Sequence, residues 1–513
     1  MTAPCRFAAL ILTVTLFAPV AADAFDIDDS TAPLSSLPTS LDLCGRTNSL
    51  IAPEACKNGD YEKLAAQIER ALQVALAKAP ANIRPLLKRD QAFFAGMIGS
   101  AAEDMPQSQN PGDREAFAEM LRKRIPVLED IANGFGRAGV LGKWADAFGH
   151  VTVTPADGGA YRLAIDADAI YGTADDLHWQ CQATAVVKPA SDGWLTGAFL
   201  PEAASPAPAP GDAATPPTVP PSIKIRRQGE TLRVVVGEQD WGEWRTHLNC
   251  KEIHQVTANY FASGRRDPAA IPDRIDTSFV APTFDCTRPE TASDEETCSD
   301  PDLADNDQRL NRAWRTLPSR LDEATRHALM DDQRNWVKAQ AHQYKQFLHP
   351  AWDKITSVMH STTGARIFLD RMQRERIALL EGFDENRKGL AGVWLSSTAI
   401  LKVTPTEDGG LRGVGWTWDQ GNWKAGCDYE IEGKVVGGVF RSDETRTNPD
   451  TLERDHAMLI VNRLDDVYAK QRMDKKDSSD EQKCKRSPTI SSTARLFPAK
   501  PSPDINDFGQ SIR

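Results

Sequence analysis

Apolar residues recur at steps of three and four through the early chain. Tyr61, Leu64, Ile68, Leu72, Ala75 and Leu76 share one face. Ile83, Leu86, Leu87, Phe94, Met97 and Ile98 make a second, and Phe117, Met120, Leu121, Ile125 and Leu128 a third, opened by Asp113 as a candidate cap. That period predicts three amphipathic helices. The pattern then changes to alternation. "HVTVTPADGGAYRLAID" and "SIKIRRQGETLRVVV" each alternate about a Gly-containing turn, as strands of a hairpin do. The same succession then returns. Leu303, Leu310, Ala313, Leu317 and Leu321, then Leu329 and Trp336, then Phe368, Met372, Leu379 and Leu380 fall at helical spacing. Pro318 predicts an end or kink in the first of these helices. "AILKVTPTEDGGLRGVGW" and "AMLIVNRLDDVYAKQ" follow as strands.

The two successions align. Set without gaps, 44–94 and 286–336 share 11 of 51 positions, where chance gives roughly three. The matches include Cys44/Cys286, Cys56/Cys298, Asp90/Asp332 and Gln91/Gln333, and Phe94 stands opposite Trp336. Further on, "MLRKRI" (120–125) answers "MQRERI" (372–377), and "GKW" (142–144) answers "GVW" (392–394). Cys181 answers Cys427, and Cys250 answers Cys484. The expectation is an α+β chain built by internal duplication, each half a small disulfide-bonded helical module followed by a disulfide-bonded antiparallel β module. The expected divisions are 25–139 and 140–265 for the first copy, then 266–388 and 389–513 for the second. A Pro/Ala-rich stretch, 200–222, reads as an extended loop inside the first β module.

Residues 1–24 read as a secretory signal peptide: Arg6, a short apolar stretch, then Ala22-Asp23-Ala24 as a small-x-small cleavage site. An uncleaved anchor is the competing reading. No other window approaches a membrane span, so the mature chain is expected to be periplasmic or secreted and not membrane-embedded. Eight cysteines remain after Cys5, an even number that favours disulfides in an exported protein. Pairing within modules is expected: Cys44–Cys56, Cys181–Cys250, Cys286–Cys298 and Cys427–Cys484. The stretch between Cys286 and Cys298 is polar, with little to build a core, and reads as a loop pinned by its bond. "DPDLADND" (300–307) reads as a solvated acidic helix start.

A net charge of −12 argues against nucleic-acid binding. No GxSxG, HExxH, phosphate-binding loop or dinucleotide fingerprint occurs, and no metal-ligand spacing, so neither catalytic nor metal residues nor a cofactor are assigned. Gln333 and Trp336 lie one helical turn apart. Trp336 is read as core and Gln333 as a nearby backbone partner, in preference to a binding hot spot.

These residues carry a resemblance. Phe284, Asp285, Cys286, Cys298, Leu303, Asp307, Leu310, Gln333 and Trp336 resemble the N-terminal pattern of the LprI-type lysozyme-inhibitor family. The resemblance is specific over about 284–340 and degenerate over 44–98, where Gln91 and Phe94 stand for Gln333 and Trp336. A further cysteine common after the Trp in that family is absent here. The resemblance implies an exported, non-enzymatic protein whose partner is a lysozyme. A general envelope or stress-associated interaction module with another ligand is the alternative, and an unrecognised hydrolase the third.

Overall fold

The computed structural model describes residues 32–41, 60–104, 111–170, 178–201, 219–237, 248–250, 256–265, 279–348, 356–418, 427–442, 451–462 and 493–505. The signal-peptide reading, Cys44, Cys56, Cys484 and most of the Pro/Ala-rich stretch fall outside them. So does the side chain of Cys427, and with it the expected bonds Cys44–Cys56 and Cys427–Cys484.

The first half opens with three helices: α1 (Asp60–Lys78), α2 (Arg84–Asp104) and α3 (Pro111–Gly134). α1 buries Ile68, Leu72 and Ala75, and Tyr61 meets Phe117 of α3 edge to face at 5.5 Å. α3 ends against the barrel. A Cβ on Gly134 would lie 2.0 Å from the carbonyl oxygen of Ala262, so only glycine permits this approach. Among the described residues the second half has four α-helices: α4 (Ala292–Ser299), α5 (Pro301–Thr316), α6 (Glu323–Leu348) and α7 (Thr356–Glu381). Pro318 opens a short 3-10 turn just after α5.

Each half then forms an antiparallel meander closed into an eight-stranded barrel. The first uses β1 (Gly142–Ala145), β2 (Gly149–Ala156), β3 (Ala160–Ile170), β4 (His178–Pro189), β5 (Leu195–Leu200), β6 (Ser222–Gln228), β7 (Thr231–Val236) and β9 (Ala258–Ala262). A ninth strand, β8 (Asn249–Cys250), adds onto β4, and there Cys250 bonds to Cys181. The second barrel runs β10 (Gly392–Leu395), β11 (Ala399–Pro405), β12 (Leu411–Thr417), β13 (Cys427–Val436), β14 (Val439–Ser442), β15 (Thr451–Asp455), β16 (Met458–Asn462) and β17 (Thr493–Ala499). In the first half one apolar core runs continuously from helices to barrel. In the second, the barrel interior and the helix–barrel joint form separate clusters.

The repeated Gly-x-Trp has a physical cause. Trp144 and Trp394 are fully buried, and each ring N–H donates to a carbonyl four residues back, Val140 and Leu390. An arginine stacks on each ring, Arg137 at 4.6 Å and Arg387 at 5.0 Å. Gly142 and Gly392 have φ of 110° and 125°. A Cβ on either would meet the guanidinium, at 2.9 Å and 2.7 Å respectively. Thus the glycine makes room for the arginine that covers the tryptophan.

Two expectations are overturned in the second helical unit. The segment between Cys286 and Cys298 is not a loop throughout: Ala292–Ser299 is helix α4, and nearly all of it is buried. Thr291 and Asp294 form a capping box at its start. Nor is the acidic start of α5 wholly solvated: Asp305 is exposed and Asp302 and Asp307 are half-buried, but the carboxylate that opens it is inside. Asp300, its N-cap, is fully buried and accepts from the backbone amides of Asp302 and Leu303.

Candidate functional site

The family-motif residues divide into those facing the helical core and those tying segments together. Leu303 packs with Leu34, Ala292, Tyr344, Ala365 and Leu369. Leu310 and Trp336 join the helix–barrel core of the second half. Asp285 accepts from the backbone and hydroxyl of Thr287, shaping the turn after Cys286. Asp307 accepts from Thr283 N at 2.6 Å and so fastens the segment before the disulfide to α5. Phe284 is half-buried. Cys286 and Cys298 are bonded, which joins that segment to the last turn of α4.

Gln333 belongs to a repeated clamp. Its Oε1 accepts from Arg376 Nε at 2.6 Å, and Arg376 Nη1 donates to Asp332 Oδ2. The other oxygen of Asp332 accepts from Ser397 N in the β10–β11 turn. The first half repeats this contact for contact. Arg124 donates to Gln91 and Asp90, and Asp90 accepts from Ala147 N in the β1–β2 turn. Arg124 lies 5.2 Å from the Phe94 ring centre, and Arg376 lies 6.0 Å from that of Trp336. Asp-Gln-x-x-aromatic therefore joins helix to helix and helix to barrel. Gln333 was expected to bond to backbone; it holds an arginine instead. Gln91 does both, donating also to Thr39 O.

A second cluster was not foreseen. α4 carries Glu295 and Glu296 into the contact between the two halves, followed directly by Asp300. Glu296 receives Arg89 of α2 at 3.1 Å, Arg233 of β7 and the Tyr344 hydroxyl at 2.8 Å. Asp300 receives Arg233 at 3.0 Å and Arg366 of α7 at 2.6 Å. Asp302 receives Arg366, Lys224 of β6 and the ring N–H of Trp194. Glu295 accepts the amides of Leu34 and Ser35. Burial works against the ionised carboxylates. At Glu296 the Arg233 and Arg89 charges outweigh it, and at Asp300 those of Arg366 and Arg233 do, so both are held below the usual carboxylate range. At Glu295 burial prevails and the carboxyl is pushed up despite Arg89.

This cluster is a joint. Its carboxylates face arginines of the same chain, and Glu295, Glu296 and Asp300 have almost no solvent exposure. They are not placed to receive a partner. Among the described residues no group of histidine, cysteine, aspartate or glutamate is arranged to hold a metal ion, and no helix is long and apolar enough to cross a membrane.

Two signals in the sequence pointed to the clamp: Asp90-Gln91 matching Asp332-Gln333, and the arginines inside "MLRKRI" and "MQRERI". No such signal marked Arg89, Lys224, Arg233, Tyr344 or Arg366, which come from five separate places in the chain.

No curated protein and no solved structure matches the chain. A family model does, over part of it. Residues 286–380, from the first cysteine of the α4 disulfide almost to the end of α7, match the family described as lysozyme inhibitor LprI, and the second helical unit is thus LprI-like.

Proposed function

We propose that this protein is exported to the cell envelope and binds and inhibits a lysozyme. One observation carries the reading: the LprI match over 286–380. Three features support it. Residues 1–24 have the composition of a secretory leader. Disulfides Cys181–Cys250 and Cys286–Cys298 suit an oxidising compartment. A net charge of −12 would speed encounter with a basic lysozyme. An inhibitor needs only to occupy the cleft in which two carboxylates do the chemistry. Glu295, Glu296 and Asp300 are engaged within the chain, so the contact surface in this reading does not include them.

The test is a cell-wall lysis assay at about 150 mM salt, where weak charge attraction is screened beyond about 8 Å. Residues 25–513 are titrated against chicken-type and goose-type lysozymes. Inhibition that saturates near equimolar ratio is expected. No inhibition of either at tens-fold excess would remove the lysozyme and leave a protein-binding module with another ligand.

A further inference from the structure

The two halves use one scaffold, but they fill it differently at the joint between the last helix and the barrel. Strand register fixes which residues correspond. Gly142 pairs with Val153 and Gly392 with Val403; His150 pairs with Asp166 and Ile400 with Trp416. In the second half Leu395 and Ile400 are buried there, with Trp416 packed against the same core. In the first half the same positions hold Ala145, His150 and Asp166. Small and polar residues replace large apolar ones, and a cavity of about 460 Å3 lies between α3 and the β1–β2 turn.

We propose that this cavity binds a small organic molecule bearing a carboxylate on an apolar body. Its volume is in the usual range for ligand pockets. Phe94, Val127 and Phe148 give it an apolar wall. Its lining carries Lys123, Arg124 and Lys143 beside Asp130, Asp146 and Asp166, and Arg124 is the buried cation among them. Arg124 is 2% exposed, and its Nη1 has no hydrogen-bond partner. The counterpart Arg376 also leaves one nitrogen unpaired, and there Leu395 and Ile400 fill the joint.

Asp146 also lines the cavity, and its charge state matters. Its Oδ1 accepts from Phe148 N and Gly149 N. Burial, then the neighbouring Asp90, pushes its carboxyl up to about 8. A carboxyl pushed up in this way repels an anion less than an ordinary aspartate does. Burial, then Lys143, holds His150 below its ordinary value, against the pull of Asp166. The second half has Ser396 and Ile400 at these places. This site is independent of the lysozyme reading, since it lies in the first half, outside the matched residues.

The experiment is calorimetric titration of the full chain at pH 7 with benzoate. Benzyl alcohol serves as the uncharged isostere and inorganic phosphate as an anion without an apolar body. One-to-one binding of benzoate is expected, about tenfold or more tighter than either control. Ala145→Leu with His150→Ile installs the second half's residues and should abolish it with melting unchanged. If that pair does not fold, His150→Ile alone is read by the same criterion. Lys143→Gln, at an exposed position, should weaken benzoate about threefold and leave benzyl alcohol unaffected. Three results would overturn the proposal: no heat from benzoate at about 10 mM, equal binding of either control, or full affinity in the filled variant.

Discussion

Arg233→Ala is expected to destabilise the protein by about 3–5 kcal/mol, the usual cost of removing one partner from a buried charge cluster. Arg233 is 2% exposed and, among the described residues, is the one that bonds both Glu296 and Asp300. Without it, two buried carboxylates lose a shared cation. Arg89 and Arg366 remain, each facing one of them. The control is Arg412→Ala, whose partner Glu430 is on the barrel surface and whose side chain is half exposed; it should change stability by less than about 0.5 kcal/mol. Denaturant unfolding of both variants measures the contrast, and equal midpoints would contradict the buried-joint reading. The sign with pH follows from the depressed carboxylates. Glu296 and Asp300 contribute stability that is present above their unfolded values, near pH 4, and is lost as pH falls below that.

Trp336→Ala should cost about 3–5 kcal/mol, as large-to-small changes in a core do. The ring is 6% exposed and lies among Leu310, Leu329, Phe368 and Met372. Its loss would also uncover Arg376, which the clamp requires. Phe94 fills the corresponding place in the first half, under Arg124. Thermal melting with fluorescence reads the result, and the buried Trp144 and Trp394 should keep their emission. A variant that melts like the parent but fails to inhibit lysozyme would make Trp336 a contact residue and reverse this assignment.

Local pattern revealed local structure. The alternation in "HVTVTPADGGAYRLAID" became β2 and β3, and that in "SIKIRRQGETLRVVV" became β6 and β7. Barrel closure was not legible, because it depends on pairings such as Trp144 with Ala262, far apart in the chain, and short alternating strands suit a sandwich equally well. α4 was missed for a different reason. Helical period is a signal of apolar burial, and α4 is buried against charge. Glu296 is inside because two arginines and a tyrosine from elsewhere meet it, Glu295 because it accepts the amides of Leu34 and Ser35, and Thr297 and Ser299 because their hydroxyls bond to carbonyls of α4 itself. The clamp was half legible: pairing the repeats exposed Asp, Gln and Arg, but not that they bond to one another.

The cysteine-bracketed acidic segment is expected to join the two halves and not to contact a partner. Amide hydrogen exchange over 292–303, with and without lysozyme, tests it most directly. Amides of buried, capped helices exchange only on opening. This segment is expected to be strongly protected in the free protein, to lose that protection in Arg233→Ala, and to be unchanged by lysozyme in the parent. Fast exchange in the free protein, slowed when lysozyme binds, would contradict it.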